Sequence, residues 1–80
     1  MRVRVDIKRK EGLSDPEGVT TRHALEELGY AAVGEVHFGR TIYLDVAGDD
    51  ATEVQAMVKE MCERLLANPV MEDYEVEIVR

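Results

Sequence analysis

Eighty residues allow one small domain that buries only roughly 60% of its unfolded surface, and 45% hydrophobic but 5% aromatic content leaves Val, Leu, Ile, Met and Ala to build its core. A formal charge of −7 repels a phosphate backbone unless the basic groups gather on one face, which argues against nucleic acid as a partner. One cysteine cannot form an internal disulfide, and no apolar run has signal-peptide or membrane-spanning length, so a soluble cytoplasmic protein with no membrane association is expected.

Residues 2–8 alternate strictly, with Val3, Val5 and Ile7 on one face and Arg2, Arg4, Asp6 and Lys8 on the other, the pattern of a half-buried strand. After a turn-rich segment, Asp15-Pro16-Glu17 supplies an N-cap acceptor, a proline suited to the first helical position and an acid near the positive helix end. The spacing predicts a helix from Asp15 to about Leu28, closed by a left-handed Gly29. Its apolar stripe, Thr21, Ala24, Leu25 and Leu28, is thin. Gly18 in the first turn costs about 1 kcal/mol relative to Ala, so either the backbone approaches something closely there or the site tolerates the loss.

Two short strands are predicted next, Glu35–Phe38 and Thr41–Val46, joined by Gly39-Arg40 as a tight hairpin turn with a positive φ at the glycine. Ile42, Leu44 and Val46 would face the core, leaving Thr41, Tyr43 and Asp45 outside. Gly48-Asp49-Asp50 opens a second, stronger helix, with Val54, Met57, Val58, Met61 and Leu65 on a narrow apolar arc. Cys62 lies at the margin of that arc and Leu66 further round, within reach of a second protein surface. Asn68-Pro69 stops the helix, and Tyr74–Val79 alternates as a final strand.

Strand, helix, strand, strand, helix, strand is the order of the split βαβ, ferredoxin-like plait. The expected fold is an α+β two-layer sandwich spanning residues 1–80 as a single domain, with a four-stranded antiparallel sheet and two helices on one face. First and last strands would be antiparallel neighbours, setting Arg2, Arg4 and Lys8 beside Glu75 and Glu77.

Catalytic chemistry finds little footing. No phosphate-cradling glycine motif occurs among the six glycines. His23 with Glu26 or Glu27 has helical spacing that could hold a metal, but a solvated helix face explains those residues, and His37 alone is equally weak. Cys62 reads as a small hydrophobe rather than a nucleophile. The pairs Asp49-Asp50 and Glu72-Asp73 cap a helix and precede a strand, with no pocket to perturb them. No catalytic, cofactor-binding or metal-binding residue is expected.

The stretches Lys10 to Gly18, Ala24 to Gly29, Gly39-Arg40 and above all Glu60-Met61-Cys62-Glu63-Arg64-Leu65-Leu66-Ala67-Asn68-Pro69-Val70-Met71-Glu72-Asp73-Tyr74 resemble the PurS family, the small subunit of phosphoribosylformylglycinamidine (FGAM) synthase. The resemblance covers essentially the whole chain. It implies a step of purine (IMP) biosynthesis in which formylglycinamide ribonucleotide (FGAR), glutamine and ATP give FGAM, glutamate, ADP and phosphate. The implied role is a non-catalytic adaptor, a homodimer or tetramer, joining the glutaminase PurQ to the synthetase PurL and supporting ammonia transfer. ATP and magnesium would belong to PurL, with no cofactor in this chain.

Interface residues are then expected at Asp15, Gly18, Arg40, Tyr43, Cys62, Leu66, Asn68 and Pro69. Several have a local explanation as helix starts, turns or helix stops; Arg40 is the best functional candidate, because a turn does not require a cation. The alternative is a stand-alone dimeric regulatory domain that senses a small molecule, since the same plait serves that purpose when two copies pair.

Overall fold

The computed structural model describes residues 1–79. Strand β1 (Arg2–Arg9) is central in a three-stranded antiparallel sheet, with β2 (Gly39–Asp45) on one side and β3 (Glu72–Ile78) on the other. The first and last strands pair as the alternation and charges predict: Arg4 stands opposite Glu77 and Lys8 opposite Asp73. Arg4 forms ion pairs with Glu77 and with Asp6, a contribution that favours register rather than driving the fold.

The alternating pattern sends Val3, Val5 and Ile7 to one face, where they are buried against α2 (Ala51–Met61). Asp50 caps α2, its carboxylate accepting from the backbone N–H groups of Thr52 (3.0 Å) and Glu53 (3.3 Å). Val54 and Val58 face the sheet, and Ile42, Leu44, Val76 and Ile78 pack around this centre, half-buried. Among the described residues no helix is long and apolar enough to cross a membrane.

The last turn departs from a regular helix. Cys62–Leu66 forms a π-helical turn, closed by the Ala67 N–H donating to the Cys62 carbonyl at 3.0 Å. The stripe Val54, Val58, Cys62, Leu66 advances four residues at a time, which on an α-helix drifts by about 40° per step. Underwinding in the π turn cancels that drift. Cys62 is therefore fully buried rather than marginal, Leu66 packs against the core, and Leu65 points outward at 83% exposure. This corrects the expectation that Leu65 faces the core while Cys62 and Leu66 flank it.

Two further expectations are overturned. The sheet has three strands, not four, because Glu35–Phe38 pairs with no strand. The outer edge of β2 stays free, because residues 33–38 lead straight into β2 instead of folding back on it. Gly39-Arg40 accordingly begins β2 and makes no hairpin turn. The left-handed glycines are Gly12, Gly29 and Gly48; Gly29, with φ of 99°, ends the first helix as predicted.

That helix, α1 (Pro16–Glu27), contributes no residue to the core or to its half-buried fringe. Only α2 covers the sheet. Helix α1 and the returning segment 28–38 form a separate arm, and the molecule measures 49 × 25 × 14 Å. The apolar stripe of α1 is thin, and none of it reaches the sheet of its own chain.

Candidate interaction site at the end of the sheet

The C-terminal end of β1 and the beginnings of β2 and β3 meet at one end of the molecule. Arg40 stands opposite Ile7, on the same side of the sheet as Ile42 and Leu44. Its guanidinium reaches across β1 to Glu72 of β3, with Nη1 at 2.7 Å and Nη2 at 3.1 Å from the two carboxylate oxygens. Nη2 also donates to the Leu66 carbonyl at 2.8 Å, one of the carbonyls that a helix end leaves without an intrahelical partner. One side chain thus joins β2, β3 and the π turn.

Glu72 has further work at this corner. Its Oε1 accepts the Asn68 N–H at 2.8 Å, while the Glu72 N–H donates to the Asn68 carbonyl at 2.7 Å. The Asn68 side chain accepts from the Val70 N–H at 3.2 Å. Asn68-Pro69 is therefore a tight turn between the π turn and β3. Arg40 first, and then the Asn68 N–H, hold the Glu72 carboxyl below its usual range.

A second junction lies beside it. Asp15 caps α1 through Oδ1, which accepts from the Gly18 N–H at 3.0 Å, and its Oδ2 accepts from the Phe38 N–H at 2.8 Å. The Phe38 bond, and secondarily the Gly18 bond, hold this carboxyl below its usual range. Gly18 is buried beneath the return segment, and a Cβ on it would lie 1.9 Å from the Val36 carbonyl oxygen. Close backbone approach, rather than tolerance, is what places glycine here.

At the Arg40–Glu72 corner opens a concavity of about 800 Å³, whose lining includes Lys8, Lys10, Arg40, Glu63, Pro69 and Glu72. Lys8 and Lys10 take part in no ion pair among the described residues. The hollow is open and mixed in charge, with the geometry of a contact surface rather than of an enclosed reaction chamber. No group of three metal-ligating side chains occurs among the described residues. His37 is exposed and lies 3.0 Å from Glu35, and burial pushes the Cys62 thiol up, away from nucleophilic character.

Of the eight residues singled out from the sequence, the fold brings six to this end: Asp15, Gly18, Arg40, Leu66, Asn68 and Pro69. Tyr43 stands elsewhere, on the uncovered face of the sheet at 62% exposure, and Cys62 is enclosed in the core. Glu72 and Phe38 escaped notice as parts of the site. Only the strand registers, which place Arg40 and Glu72 on either side of β1, would have revealed the first.

The family model for PurS, phosphoribosylformylglycinamidine (FGAM) synthase, matches residues 2–80. The PurS subunit of Methanocaldococcus jannaschii is 43% identical over 92% of this chain and 89% of its own, and that of Bacillus subtilis 40% identical over 96% and 90%. Among solved structures, PurS of M. jannaschii, described as a subunit of formylglycinamide ribonucleotide amidotransferase in the purine biosynthetic pathway, superposes with a TM-score of 0.84 at 41% identity, covering 95% of this chain and 92% of that one. A chain of the Thermotoga maritima PurLQS structure superposes with a TM-score of 0.86 at 33% identity, covering 95% and 93%. With a family match across nearly its whole length, the chain belongs to the PurS family of FGAM synthase subunits.

Proposed function

We propose that this chain is the adaptor subunit of FGAM synthase, the glutamine-dependent carbon–nitrogen ligase of purine (IMP) biosynthesis that converts FGAR, glutamine and ATP to FGAM, glutamate, ADP and phosphate. It joins the glutaminase PurQ to the synthetase PurL, which holds ATP and magnesium, and it works in the cytoplasm. The observation that carries this reading is the full-length likeness to a chain of the PurLQS structure. Ammonia released in neutral water is mostly protonated and lost as a nucleophile, so transfer between two active sites needs them held in fixed proximity. A third subunit that docks both supplies that proximity as effective concentration.

A second copy of the chain fits the fold as the first partner. Val19, Leu28, Tyr30 and Phe38 are exposed on the arm, Leu28 at 73%. Meanwhile the helix-bearing face of β2 is covered by no helix of its own, leaving Ile42 and Leu44 half-buried. A helix without a sheet and a sheet half without a helix, in one chain, are complementary under two-fold symmetry. Six buried hydrophobic residues make a small core, which such pairing enlarges.

Reconstitution tests the adaptor role. PurL and PurQ should give glutamine-dependent FGAM synthesis only with this chain present, while ammonia-dependent synthesis by PurL should not require it. Full glutamine-dependent activity without the chain, unchanged on its addition, overturns the reading.

A further inference from the structure

We propose that Asp15 is a positioning residue that clasps the two ends of the arm together, so that α1 and residues 28–38 are presented to a second copy of the chain as one body. The inference rests on the second-copy reading above.

An N-cap needs only one carboxylate oxygen. Asp15 spends Oδ1 on that task, at Gly18, and uses Oδ2 to accept the Phe38 N–H, a bond that spans the whole excursion of the arm. Phe38 is the last residue before β2, and Asp15 the last before α1. The clasp therefore closes a loop at the point where both of its ends join the body of the protein. Gly18 lies under the Val36 carbonyl at the same place, so the contact is steric as well as hydrogen-bonded.

Little else orients the arm. No residue of α1 joins the core, and the apolar side chains Val19, Leu28 and Tyr30 are exposed along its length. With the clasp open, α1 and the return segment can swing independently about the turn at Glu11-Gly12, and only the fraction of chains in the right arrangement can pair. Apparent self-affinity falls by that fraction in each copy, so two-fold symmetry applies the loss twice.

Asp15→Asn and Asp15→Ser separate the clasp from the cap, because both residues cap helices about as well as Asp but neither offers Phe38 a second acceptor oxygen. The measurements are helicity by circular dichroism, amide hydrogen exchange residue by residue, and self-association by sedimentation. Helicity and protection of the β1 amides should stay as in the native chain. Exchange at the Phe38 amide should rise roughly fivefold to tenfold for one lost hydrogen bond, and the dimer dissociation constant should rise as the inverse square of the fraction of chains that keep the arm closed.

Unchanged exchange at Phe38 would show that no clasp exists and overturns the proposal. Faster exchange with undiminished self-association overturns it too, since the clasp would then position nothing. A native chain that stays monomeric removes the second-copy reading itself, and the native control distinguishes that outcome from the others.

Discussion

Gly18→Ala puts two opposing effects in direct competition. In an isolated helix, alanine at this position would gain about 1 kcal/mol over glycine. Here the added Cβ would lie 1.9 Å from the Val36 oxygen, 3.0 Å from its carbonyl carbon and 3.1 Å from the Asp15 Cγ. Contacts under 3.0 Å are essentially never tolerated, so the return segment must retreat by about 1 Å. The obstacle is backbone rather than a side chain that can rotate aside, which places the cost toward the upper part of the ~1–3 kcal/mol range for overpacking. Repulsion wins by about 1–2 kcal/mol. Because α1 lies outside the core, the loss is local and belongs to the arm's own opening equilibrium. Amide exchange should show it: roughly tenfold faster exchange across α1 and residues 35–38, with β1 and α2 unaffected. If Gly18→Ala slowed exchange through α1, helix propensity would be acting alone and the close approach of Val36 would be refuted.

The π turn predicts an inversion within one dipeptide. Leu66→Ala should destabilise the fold by about 2 kcal/mol in urea denaturation, while Leu65→Ala should change it by less than about 0.5 kcal/mol; equal effects would mean a regular helix. Arg40→Lys keeps the charge but loses the bidentate fork and should cost about 1 kcal/mol. Glu72→Gln should cost a similar amount, and the double variant should show the two effects to be non-additive by chemical denaturation. Asp15 and Glu72 both have carboxyls below their usual range in the folded state. Each therefore contributes stability that is complete above the ordinary carboxylate pKa of about 4 and is lost as pH falls through the lower native value. The acid denaturation profile of Glu72→Gln should fall less steeply below about pH 4 than that of the native chain, whereas the Asp15 contribution is confined to the arm and Asp15→Asn should leave that profile unchanged.

What was legible in the sequence is what neighbouring residues decide among themselves. Asp15, Pro16 and Glu17 start a helix with any partner or none, and Gly29 ends it by a preference of its own backbone. Strict alternation in β1 and β3 fixes which side chains are buried, and the opposed charges of Arg4 and Glu77 agree with their register. Failures begin where a local pattern needs a partner. Val36 and Phe38 alternate with polar neighbours as strand residues do, but residues 33–38 run on into β2 with no turn to fold them back along its free edge. The π turn was hidden for a related reason: Leu65 and Leu66 are equally apolar, and the packing of Cys62 decides which one turns inward.

Arg40 shows the same limit in one residue. A turn has no use for a cation, but Gly39-Arg40 is not a turn joining neighbours in sequence. In the fold those residues begin an edge strand, and the cation is used by groups 26 and 32 positions away. Both partners of the guanidinium, a helix-end carbonyl and a carboxylate, are brought together by the local Asn68-Pro69 turn, but Arg40 comes within reach of them only after β1 has paired on both sides. Pairing has to precede the contact, so Arg40 reports on assembly of the sheet and does not direct it. Leu65 and Val70, both strongly exposed, flank the corner that Arg40 and Glu72 hold in place. A substitution at Arg40 would move those two side chains without touching either, and a loss of assembly in such a variant would have to be traced through the corner before it was credited to a direct contact.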